Sequence, residues 1–390
     1  MQRVQLNAKA SGFARRGQPW FYRDDFAAGE QAPARLVRVV DENERDLGLG
    51  ITSTGKLALR LCGPWAEGEV PDRETFFGNR LQAAFARRAM RLGPHDGTRL
   101  VHAESDWLPG LVLDRYGPVL VLQATSAFVE QSLDAIVPFA ADALKATTVI
   151  ARNDVGARKH EGLAEEVRLL HGNRVEQVTI VEHGVRHTVR PFVGHKTGFY
   201  LDQRPARALV QQLAHGRTVL DLFCYQGGFS LAALVGGAVS SVAVDQSQEA
   251  LDLAAAGARD NGVQGLLPVH GNAFDFVRDA RGRGESYELI VLDPPAFAKS
   301  RRELPGAERG YRDLNRQALR LLAPGGQLLT CTCSHHMTLP RFEEVVRQAT
   351  AGLPFRVVLE QRLGAGDDHP VLLSHPESEY LKALLLRRVD

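Results

Sequence analysis

Apolar and polar positions over residues 1–73 alternate in a way that predicts several short β-strands. The stretch LVRVVDENERDLGLGITS (36–53) holds two β-rich runs on either side of a polar turn, and LALRLCG (57–63) supplies another strand. Closely spaced strands of this kind are typical of a small β-barrel or sandwich. No combination of residues in this stretch points to catalysis.

Helical spacing begins after residue 71. Residues Thr75–Arg91 place apolar side chains at helical intervals with basic ones opposite, and a second helix is predicted over about Ser126 to Leu144. Strands joined by Pro-Gly and Tyr-Gly-Pro turns are predicted within 98–125, with another at TVIARND (148–154). This middle region is therefore predicted to be a mixed α/β unit.

A β-hairpin predicted around His183-Gly184 leads into a region where strand and helix patterns alternate. The predicted strands are TVLDLF (218–223), SVAVD (241–245), GLLPVH (265–270), LIVLD (289–293) and QLLTCTC (327–333). The alternation indicates an α/β fold with a mostly parallel, doubly wound sheet, whose ligands bind beyond the carboxyl ends of the strands. We expect three domains, over residues 1–73, 74–175 and 176–390, with the ligand site in the last.

Length and composition fit a cytoplasmic protein of two or three domains. The 390 residues are 44% hydrophobic and 24% charged, and no apolar run reaches the length of a membrane span. The N-terminus lacks the apolar segment of a secretory signal, and the four cysteines show no disulfide spacing. No membrane partner is expected.

The net charge of +1 at pH 7 neither requires nor excludes a polyanionic partner. The basic residues are mostly arginine, since lysine occupies only seven positions. Arginine can pair with phosphate and stack on bases, which is compatible with RNA binding. A general bias in composition explains the same pattern, and both interpretations stay open.

A glycine-containing turn, DLFCYQGG (221–228), follows the first strand of the alternating region and leads at once into a helix. Such a turn lets a ligand approach the backbone and the free N–H groups of the helix start. Asp245 ends the second strand, far enough along to reach the diol of a bound ribose. The pattern GxGxxG is missing, which disfavours a nicotinamide dinucleotide. A structural need for glycine in a tight turn is the alternative explanation.

Asp293-Pro294-Pro295 ends the fourth strand and is followed by Phe297. Two prolines cannot continue a central strand, so the chain must leave the sheet in a stiff turn. Such a turn holds Asp293 at the mouth of the pocket and makes Phe297 available for stacking on a flat base. A rigid strand exit beside a buried aromatic ring is the structural alternative.

Cys333 ends the fifth strand and is expected to face the same crevice as Asp293. A thiolate there could add to C6 of a cytosine and make C5 able to attack a methyl group, after which a base removes the C5 proton. Cys331 lies deeper and is interpreted as a core residue. An inert, buried Cys333 is the alternative. Metal binding is disfavoured because no second ligand pair has suitable spacing, and His335 and His336 receive no role.

These motifs resemble those of the bacterial 23S ribosomal RNA large-subunit methyltransferases, which combine an N-terminal PUA domain, a central α/β domain and a C-terminal Rossmann-type methyltransferase domain. The matching stretches are HAESDWLPGLVLDRYG (102–117), KTGFYLDQR (196–204), DLFCYQGGFS (221–230), VDQSQEAL (244–251), LDPPAFAKS (292–300), CTCS (331–334) and DHP (368–370). They lie along nearly the whole chain. KTGFYLDQR and DPPAF with the downstream TCS are the most specific.

The resemblance implies a cytosine-5 methyltransferase that uses S-adenosyl-L-methionine, with Cys333 as nucleophile and Asp293 touching the target base or the methyl donor. The implied cofactor-binding residues are Asp221, Phe223, Tyr225, Gly227, Asp245, Gln246, Asn272, Ala273, Asp293 and Pro294, together with Tyr200, Asp202 and Arg204 from a segment that would close over the cofactor. Asn272 stands where related enzymes often carry an acidic residue near adenine, so the resemblance leaves the adenine contact open.

The resemblance also implies the partners. Residues 1–73 would be a PUA-like domain that docks RNA, and the substrate would be 23S ribosomal RNA, free or in a partly assembled large subunit. A homodimer is left open.

Two other functions stay open from the residues alone. One is N-methylation of a guanine or adenine in RNA, because DPPAF also resembles the Asp/Asn-Pro-Pro-aromatic turn that holds an amino group in such enzymes. Nitrogen needs no enzyme cysteine, so Cys333 favours cytosine C5. The other is a non-catalytic RNA-binding or ribosome-assembly factor that retains a cofactor pocket, against which the intact Asp245, Asp293 and Cys333 argue. A dehydrogenase is disfavoured by the missing dinucleotide motif.

Overall fold

The computed structural model describes residues 3–27, 34–65, 70–93, 95–298 and 300–390. The chain divides into two compact units. The first comprises Met1–Ile180, Thr188–Leu201 and Asp367–Ser378, and the second comprises Val181–His187, Asp202–Gly366 and Glu379–Asp390. The domain boundaries predicted at residues 73 and 175 lie within the first unit and stay predictions.

The N-terminal part of the first unit is a five-stranded sheet with one helix. Its elements are β1 (Arg3–Gln5), α1 (Ala8–Arg15), β2 (Trp20–Tyr22), β3 (Leu36–Val40), β4 (Asp46–Thr52) and β5 (Leu57–Leu61). The strands lie in the order β1-β3-β4-β5-β2, with β1 parallel to β3 and the other pairs antiparallel. The strands predicted within 36–63 are confirmed. The sequence pattern does not predict α1, which begins where the Asn7 side chain accepts a hydrogen bond from the Ala10 N–H.

The next part of the first unit is a second five-stranded sheet with helices. Its elements are α2 (Arg73–Arg87), β6 (Gly97–His102), β7 (Leu111–Tyr116), β8 (Val119–Ala124), α3 (Ala127–Glu130), α4 (Leu133–Leu144), β9 (Thr148–Arg152) and β10 (Val167–Gly172). The strand order is β10-β9-β8-β7-β6, and only β8 and β9 among these neighbours are parallel. Phe76 and Leu81 of α2 are buried in one cluster with Leu113 and Leu122 of the sheet. The predicted mixed α/β character is confirmed.

The single helix predicted over about Ser126 to Leu144 is wrong, because the chain forms α3 and α4 there. Ser126 caps α3 by accepting a hydrogen bond from the Val129 N–H at 3.3 Å. Ser132 donates its hydroxyl hydrogen to the Phe128 carbonyl oxygen at 2.7 Å, and its dihedral angles (φ −109°, ψ 11°) leave the helical region. A serine hydroxyl that donates to a helix carbonyl oxygen competes with the backbone N–H groups that would continue the helix, so α3 ends here.

The predicted hairpin is confirmed as β11 (Val178–Glu182) and β12 (Val185–Val189). His183 and Gly184 connect the strands with positive φ angles of 49° and 80°. Two residues with positive φ are what the tightest hairpin turn requires, because its twist then matches that of the strands.

The second unit is a seven-stranded α/β domain. Its elements are α5 (Arg204–Leu213), β13 (Thr218–Leu222), α6 (Gly228–Val235), β14 (Ser240–Asp245), α7 (Gln248–Asp260), β15 (Leu266–His270), α8 (Ala273–Gly282), β16 (Tyr287–Leu292), α9 (Leu304–Arg320), β17 (Leu322–Thr332), α10 (Leu339–Ala349), β18 (Arg356–Leu363) and β19 (Lys382–Val389). The strand order is β15-β14-β13-β16-β17-β19-β18. β13 to β17 pair in parallel, whereas β19 is antiparallel to β17 and β18. The predicted α/β class is confirmed, and β18 and β19 add an antiparallel edge that the sequence does not predict.

Strand register brings several segments of this unit to one edge of the sheet. Leu222 of β13 pairs with Val244 of β14 and Leu292 of β16, and Leu292 pairs with Thr330 of β17. The residues that follow these strands therefore emerge side by side at the carboxyl edge, where ligands of such sheets bind. Leu222 and Leu292 are fully buried with Ile290 in the core below, where truncation of one leucine to alanine costs roughly 2–5 kcal/mol.

Candidate active site

The turn between β13 and α6 passes through left-handed backbone conformations. Phe223, Tyr225 and Gly227 have φ angles of 64°, 50° and 69°. A non-glycine residue in this region costs on the order of 1 kcal/mol, and such strain concentrates at functional sites. At Gly227 a side chain is also excluded by packing, because a Cβ atom there would lie 2.8 Å from the Cβ of Ala254.

Asp221 lies fully buried at the end of β13. Its Oδ2 atom accepts hydrogen bonds from the Ser230 N–H at 3.0 Å and the Ser230 hydroxyl at 2.7 Å. Among the residues that the structure describes, its Oδ1 atom has no hydrogen-bond partner. Burial raises the pKa of Asp221 to about 7, although the hydrogen bonds from Ser230 oppose the rise. A buried acceptor without a partner calls for a donor, from a ligand or an ordered water.

Asp245 holds the same turn from the end of β14. Its Oδ2 atom accepts a hydrogen bond from the Tyr225 N–H, and its Oδ1 atom accepts one from the Ser247 N–H, both at 2.9 Å. Each carboxylate oxygen can accept a second hydrogen bond. Since the side chain is partly exposed, Asp245 can bind a diol while it holds the turn.

The predicted residues after β14 and β15 have local structural partners. Asn272 Oδ1 accepts a hydrogen bond from the Phe274 N–H at 2.8 Å and caps α8, whose first residue, Ala273, is buried. The Gln246 carbonyl oxygen lies 2.9 Å from His270 Nε2. The cap uses only the amide oxygen of Asn272, so its NH₂ group can still donate to an adenine ring.

Asp293 follows β16 directly and precedes the buried Pro294. Its N–H donates to the Leu222 carbonyl oxygen at 3.4 Å. Its Oδ2 atom accepts a hydrogen bond from Gln203 Nε2 at 2.9 Å. This bond fixes the direction of the carboxylate. Because an ionised carboxylate only accepts hydrogen bonds, Asp293 is suited to bind a donor group.

Gln203 is the site residue that sequence reasoning missed. It is only 3% exposed, and it belongs to KTGFYLDQR without being among the predicted residues. The available signal is a polar residue directly before α5 within a specific motif. Nothing in the sequence pattern links it to Asp293, which lies 90 positions later.

The structure gives the other predicted residues of KTGFYLDQR separate surroundings. Tyr200 belongs to the first unit, whereas Asp202 and Arg204 belong to the second. Asp202 is buried and accepts a hydrogen bond from the Tyr380 hydroxyl at 2.7 Å. Arg204 Nε lies 3.5 Å from Glu182 Oε2 in a buried ion pair. The contact of these three residues with a cofactor stays a prediction.

Cys333 directly follows β17 and is partly exposed, whereas the other three cysteines are buried. Cys331 is fully buried in a core cluster with Val291 and Leu329, and burial raises its pKa well above the ordinary value. The interpretation of Cys331 as a core residue is confirmed. Ser334 anchors the segment after β17 by donating its hydroxyl hydrogen to the Ala298 carbonyl oxygen at 2.8 Å.

Four aromatic side chains form a row near this edge: Phe223, Phe274, Phe297 and Tyr311. Their successive ring centroids are separated by 6.4, 6.1 and 4.6 Å. Rings at these separations pack favourably on one another. The three partly exposed rings of this aromatic row, those of Phe223, Phe274 and Phe297, supply flat apolar surface of the kind that a purine or pyrimidine ring stacks on.

Tyr311 connects the aromatic row to the thiol and the carboxylate. Its hydroxyl accepts a hydrogen bond from Thr332 Oγ1 at 2.8 Å. Burial raises the pKa of Tyr311, and the negative charges of Cys333 and Asp293 act in the same direction. Cys333 and Asp293 therefore lie near the same tyrosine, as expected for residues that end neighbouring strands.

Comparison with protein families identifies the family of the chain. Residues 103–387 match the family described as S-adenosylmethionine-dependent methyltransferase. The chain belongs to that family. Residues 4–61 of the methyltransferase match the PUA-like domain, which confirms the predicted N-terminal domain type.

Curated relatives of this methyltransferase are named Ribosomal RNA large subunit methyltransferase I. One from Photobacterium profundum is 39% identical over 377 residues, covering 94% of each chain. Another from Shewanella denitrificans is 38% identical over 397 residues, covering 99% of each. A crystal structure of a protein assigned as a methyltransferase, complexed with SAH, is 24% identical, with a TM-score of 0.85 over 99% of this chain and 100% of that one. At that identity the match bears on the fold alone.

The cofactor of this methyltransferase is S-adenosyl-L-methionine, as predicted. The residues at the carboxyl edge fit that molecule. Asp221 offers an unpaired acceptor, Gly227 a turn without a side chain, and Asp245 a partly exposed carboxylate. We expect these three residues to hold its methionine and ribose parts, with the aromatic row beside its adenine.

The described part of the chain has no helix that combines the length and apolar character of a membrane crossing.

Proposed function

We propose that this methyltransferase forms 5-methylcytosine in large-subunit ribosomal RNA through a covalent bond between Cys333 Sγ and C6 of the target cytosine. The observation that carries the proposal is the position of Cys333. It is partly exposed directly after β17, the strand that pairs with β16, and Asp293 directly follows β16. Neither N-methylation nor cofactor binding alone requires a thiol at this position.

Ribosomal RNA as substrate is supported by three features. The curated relatives carry that substrate in their name. The chain begins with a PUA-like domain, to which we assign RNA docking. The basic residues of the whole chain are mainly arginine, which pairs with phosphate and stacks on bases. We expect the reaction to take place in the cytoplasm.

The proposed reaction begins at the thiolate of Cys333, which attacks C6, forms the S–C6 bond and moves the C5–C6 π electrons to C5. The cofactor supplies an electrophilic methyl group to C5 and leaves as S-adenosylhomocysteine. A base then removes the C5 proton, the double bond forms again, and the S–C6 bond breaks to return the thiolate.

Asp293 is suited to orient the cytosine. A carboxylate can accept a hydrogen bond from the N4 amino group of cytosine. The bond from Gln203 Nε2 to Asp293 Oδ2 at 2.9 Å fixes this carboxylate in advance. We therefore assign Asp293 to the target base, with Gln203 behind it as a positioning residue.

The test is methyl transfer from labelled S-adenosyl-L-methionine to undermethylated 23S RNA, followed by analysis of the product nucleosides. Label in 5-methylcytidine that disappears in Cys333→Ala supports both the product and the nucleophile. Cys62→Ala is the matched control, because Cys62 is a buried cysteine of the first unit. Label in a methylated purine would overturn the cytosine assignment, and no label in any RNA would favour a non-catalytic RNA-binding factor.

A further inference from the structure

Lys382 is a buried lysine beside the site, outside the residues considered so far. It begins β19 and pairs in register with Thr332, the residue before Cys333. The next four residues of β19 are an alanine and three leucines, all buried, and Lys382 itself is only 3% exposed. Lysine is almost never fully buried without a specific interaction, because removing the ammonium from water is costly.

The Lys382 ammonium is held next to Cys333 by main-chain groups. Nζ donates hydrogen bonds to the Ser334 carbonyl oxygen at 3.3 Å and to the Tyr380 carbonyl oxygen at 3.2 Å. Ser334 immediately follows Cys333. Two carbonyl oxygens solvate an ammonium without neutralising it, so its charge continues to act on the surroundings.

Several ionisable groups surround the thiol. Burial lowers the pKa of Lys382, while the negative charges of Glu379 and Cys333 raise it, which places these two groups within electrostatic reach of the ammonium. The negative charges of Asp293 and Cys333 both raise the pKa of Tyr311, a residue of α9.

Further negative charge comes from the segment before α5. Asp202, Asp293 and Cys333 act together on the buried Cys331. His335, two residues after Cys333, packs against Tyr380 with a tilted ring, at 5.6 Å between ring centroids. The carboxylates of Asp202, Asp293 and Glu379 disfavour a thiolate at Cys333, and Lys382 supplies positive charge that offsets them.

We propose that Lys382 is a positioning residue that keeps Cys333 in its thiolate form, ready to attack C6. The inference rests on the proposed function, because a thiolate is needed only if Cys333 is a nucleophile. Lys382 makes its contact with the main chain beside Cys333 and touches neither cofactor nor RNA in this role.

Alkylation by iodoacetamide tests the effect directly, without RNA or cofactor. The thiolate displaces iodide and forms a thioether, so the rate follows the thiolate fraction as pH rises. The other three cysteines are buried, and Cys333→Ser measures any background from them. In Lys382→Gln, which keeps a donor for the carbonyls but loses the charge, we expect the midpoint pH to rise by about one unit. Below both midpoints the rate then falls about tenfold.

Controls separate the charge from a structural effect. Lys382→Arg should restore the midpoint, and Lys159→Met, at an exposed lysine of the first unit, should leave it unchanged. The rate at high pH should not fall in Lys382→Gln, because both thiols are then fully ionised and a more basic thiolate is at least as nucleophilic. Lys382→Met, checked by thermal unfolding, provides a second uncharged variant.

Unchanged midpoints in both uncharged variants would overturn the proposal. So would a lower plateau rate without a shift, since that result means a displaced thiol. Failure of the proposed function is distinguishable: 5-methylcytidine formed by Cys333→Ala would remove the nucleophile, whereas the alkylation midpoints report only on Lys382 and the thiol.

Discussion

Replacing Gly227 with alanine should loosen the β13–α6 turn and weaken cofactor binding. Two features of this position act together. Its φ is 69°, and a Cβ atom there would lie 2.8 Å from the Cβ of Ala254. Gly262 separates the two effects, because its φ is 64° and no atom of the described residues lies within 4 Å of a Cβ atom built there. Both glycines belong to the second unit.

The expected magnitudes follow from these two features. The left-handed conformation disfavours alanine by about 1 kcal/mol, which is the loss expected for Gly262→Ala. Overpacking adds roughly 1–3 kcal/mol at Gly227, because Ala254 lies on the buried face of α7. Gly227→Ala should therefore lose roughly 2–4 kcal/mol of local stability. Strain of 1.4 kcal/mol that appears in the bound turn corresponds to about a tenfold weaker affinity.

Native-state hydrogen exchange in α6 measures the local stability, and calorimetry measures the affinity for S-adenosyl-L-methionine. A suitable probe is the Leu231 N–H, which donates to the Gly227 carbonyl oxygen at 2.8 Å. The double variant Gly227→Ala/Ala254→Gly removes the clash and should regain part of the affinity. Equal stability losses in Gly227→Ala and Gly262→Ala would refute the packing argument. An unchanged affinity in Gly227→Ala would refute the place of this turn in the cofactor pocket.

Four further substitutions test other parts of the site. Cys333→Ala should abolish methyl transfer and leave cofactor affinity by calorimetry nearly unchanged; near-normal methylation would exclude the covalent mechanism. Asp245→Ala should weaken cofactor binding about tenfold or more, since a ribose contact is lost in the ground state, and an unchanged affinity would contradict that role. Gln203→Leu should lower kcat about 10- to 100-fold while cofactor affinity holds, because a hydrogen bond to a charged group contributes about 1.5–3 kcal/mol; loss of affinity alone would place Gln203 at the cofactor. Asp221→Asn should flatten the pH dependence of stability of the second unit. The pKa of Asp221 in the folded protein, about 7, exceeds the ordinary 3.8. The contribution of Asp221 to the free energy of unfolding is therefore fully present below about pH 4 and is lost as pH rises through 7. The same pH dependence of unfolding in variant and wild type would refute this.

The central strands β13, β16 and β17 of the second unit are predictable because both of their faces are buried. β16 illustrates the reason: Leu289 to Leu292 are four consecutive fully buried residues, and strands buried on both faces appear as continuous apolar runs. β18 lies at the sheet edge, and its residues are mostly exposed. Its sequence, RVVLEQRL, accordingly carries an apolar run of only three residues and no clean alternation, so periodicity does not predict it.

The site likewise contains residues that the local sequence predicts and partners that it does not. The glycine turn, Asp245, Asp293 and Cys333 are predictable because each follows a recognisable strand. The partners that orient them are not, because they come from remote parts of the chain. Gln203 lies 90 positions from Asp293, and Lys382 lies 48 positions from Ser334. Only the folded sheet brings these residues together, and a motif search along the chain has no means to pair them.

Cys331, within β17, and Cys333, directly after it, have different surroundings in the folded protein. Strand periodicity alone would place Cys331 and Cys333 on the same side. Cys331 lies within the paired part of the strand, opposite Ala383, and burial raises its pKa and keeps it protonated. Cys333 lies one residue beyond the last pair, Thr332 with Lys382, where it is partly exposed. The end of the β17–β19 pairing therefore exposes one thiol and, in the same step, brings the lysine charge beside it.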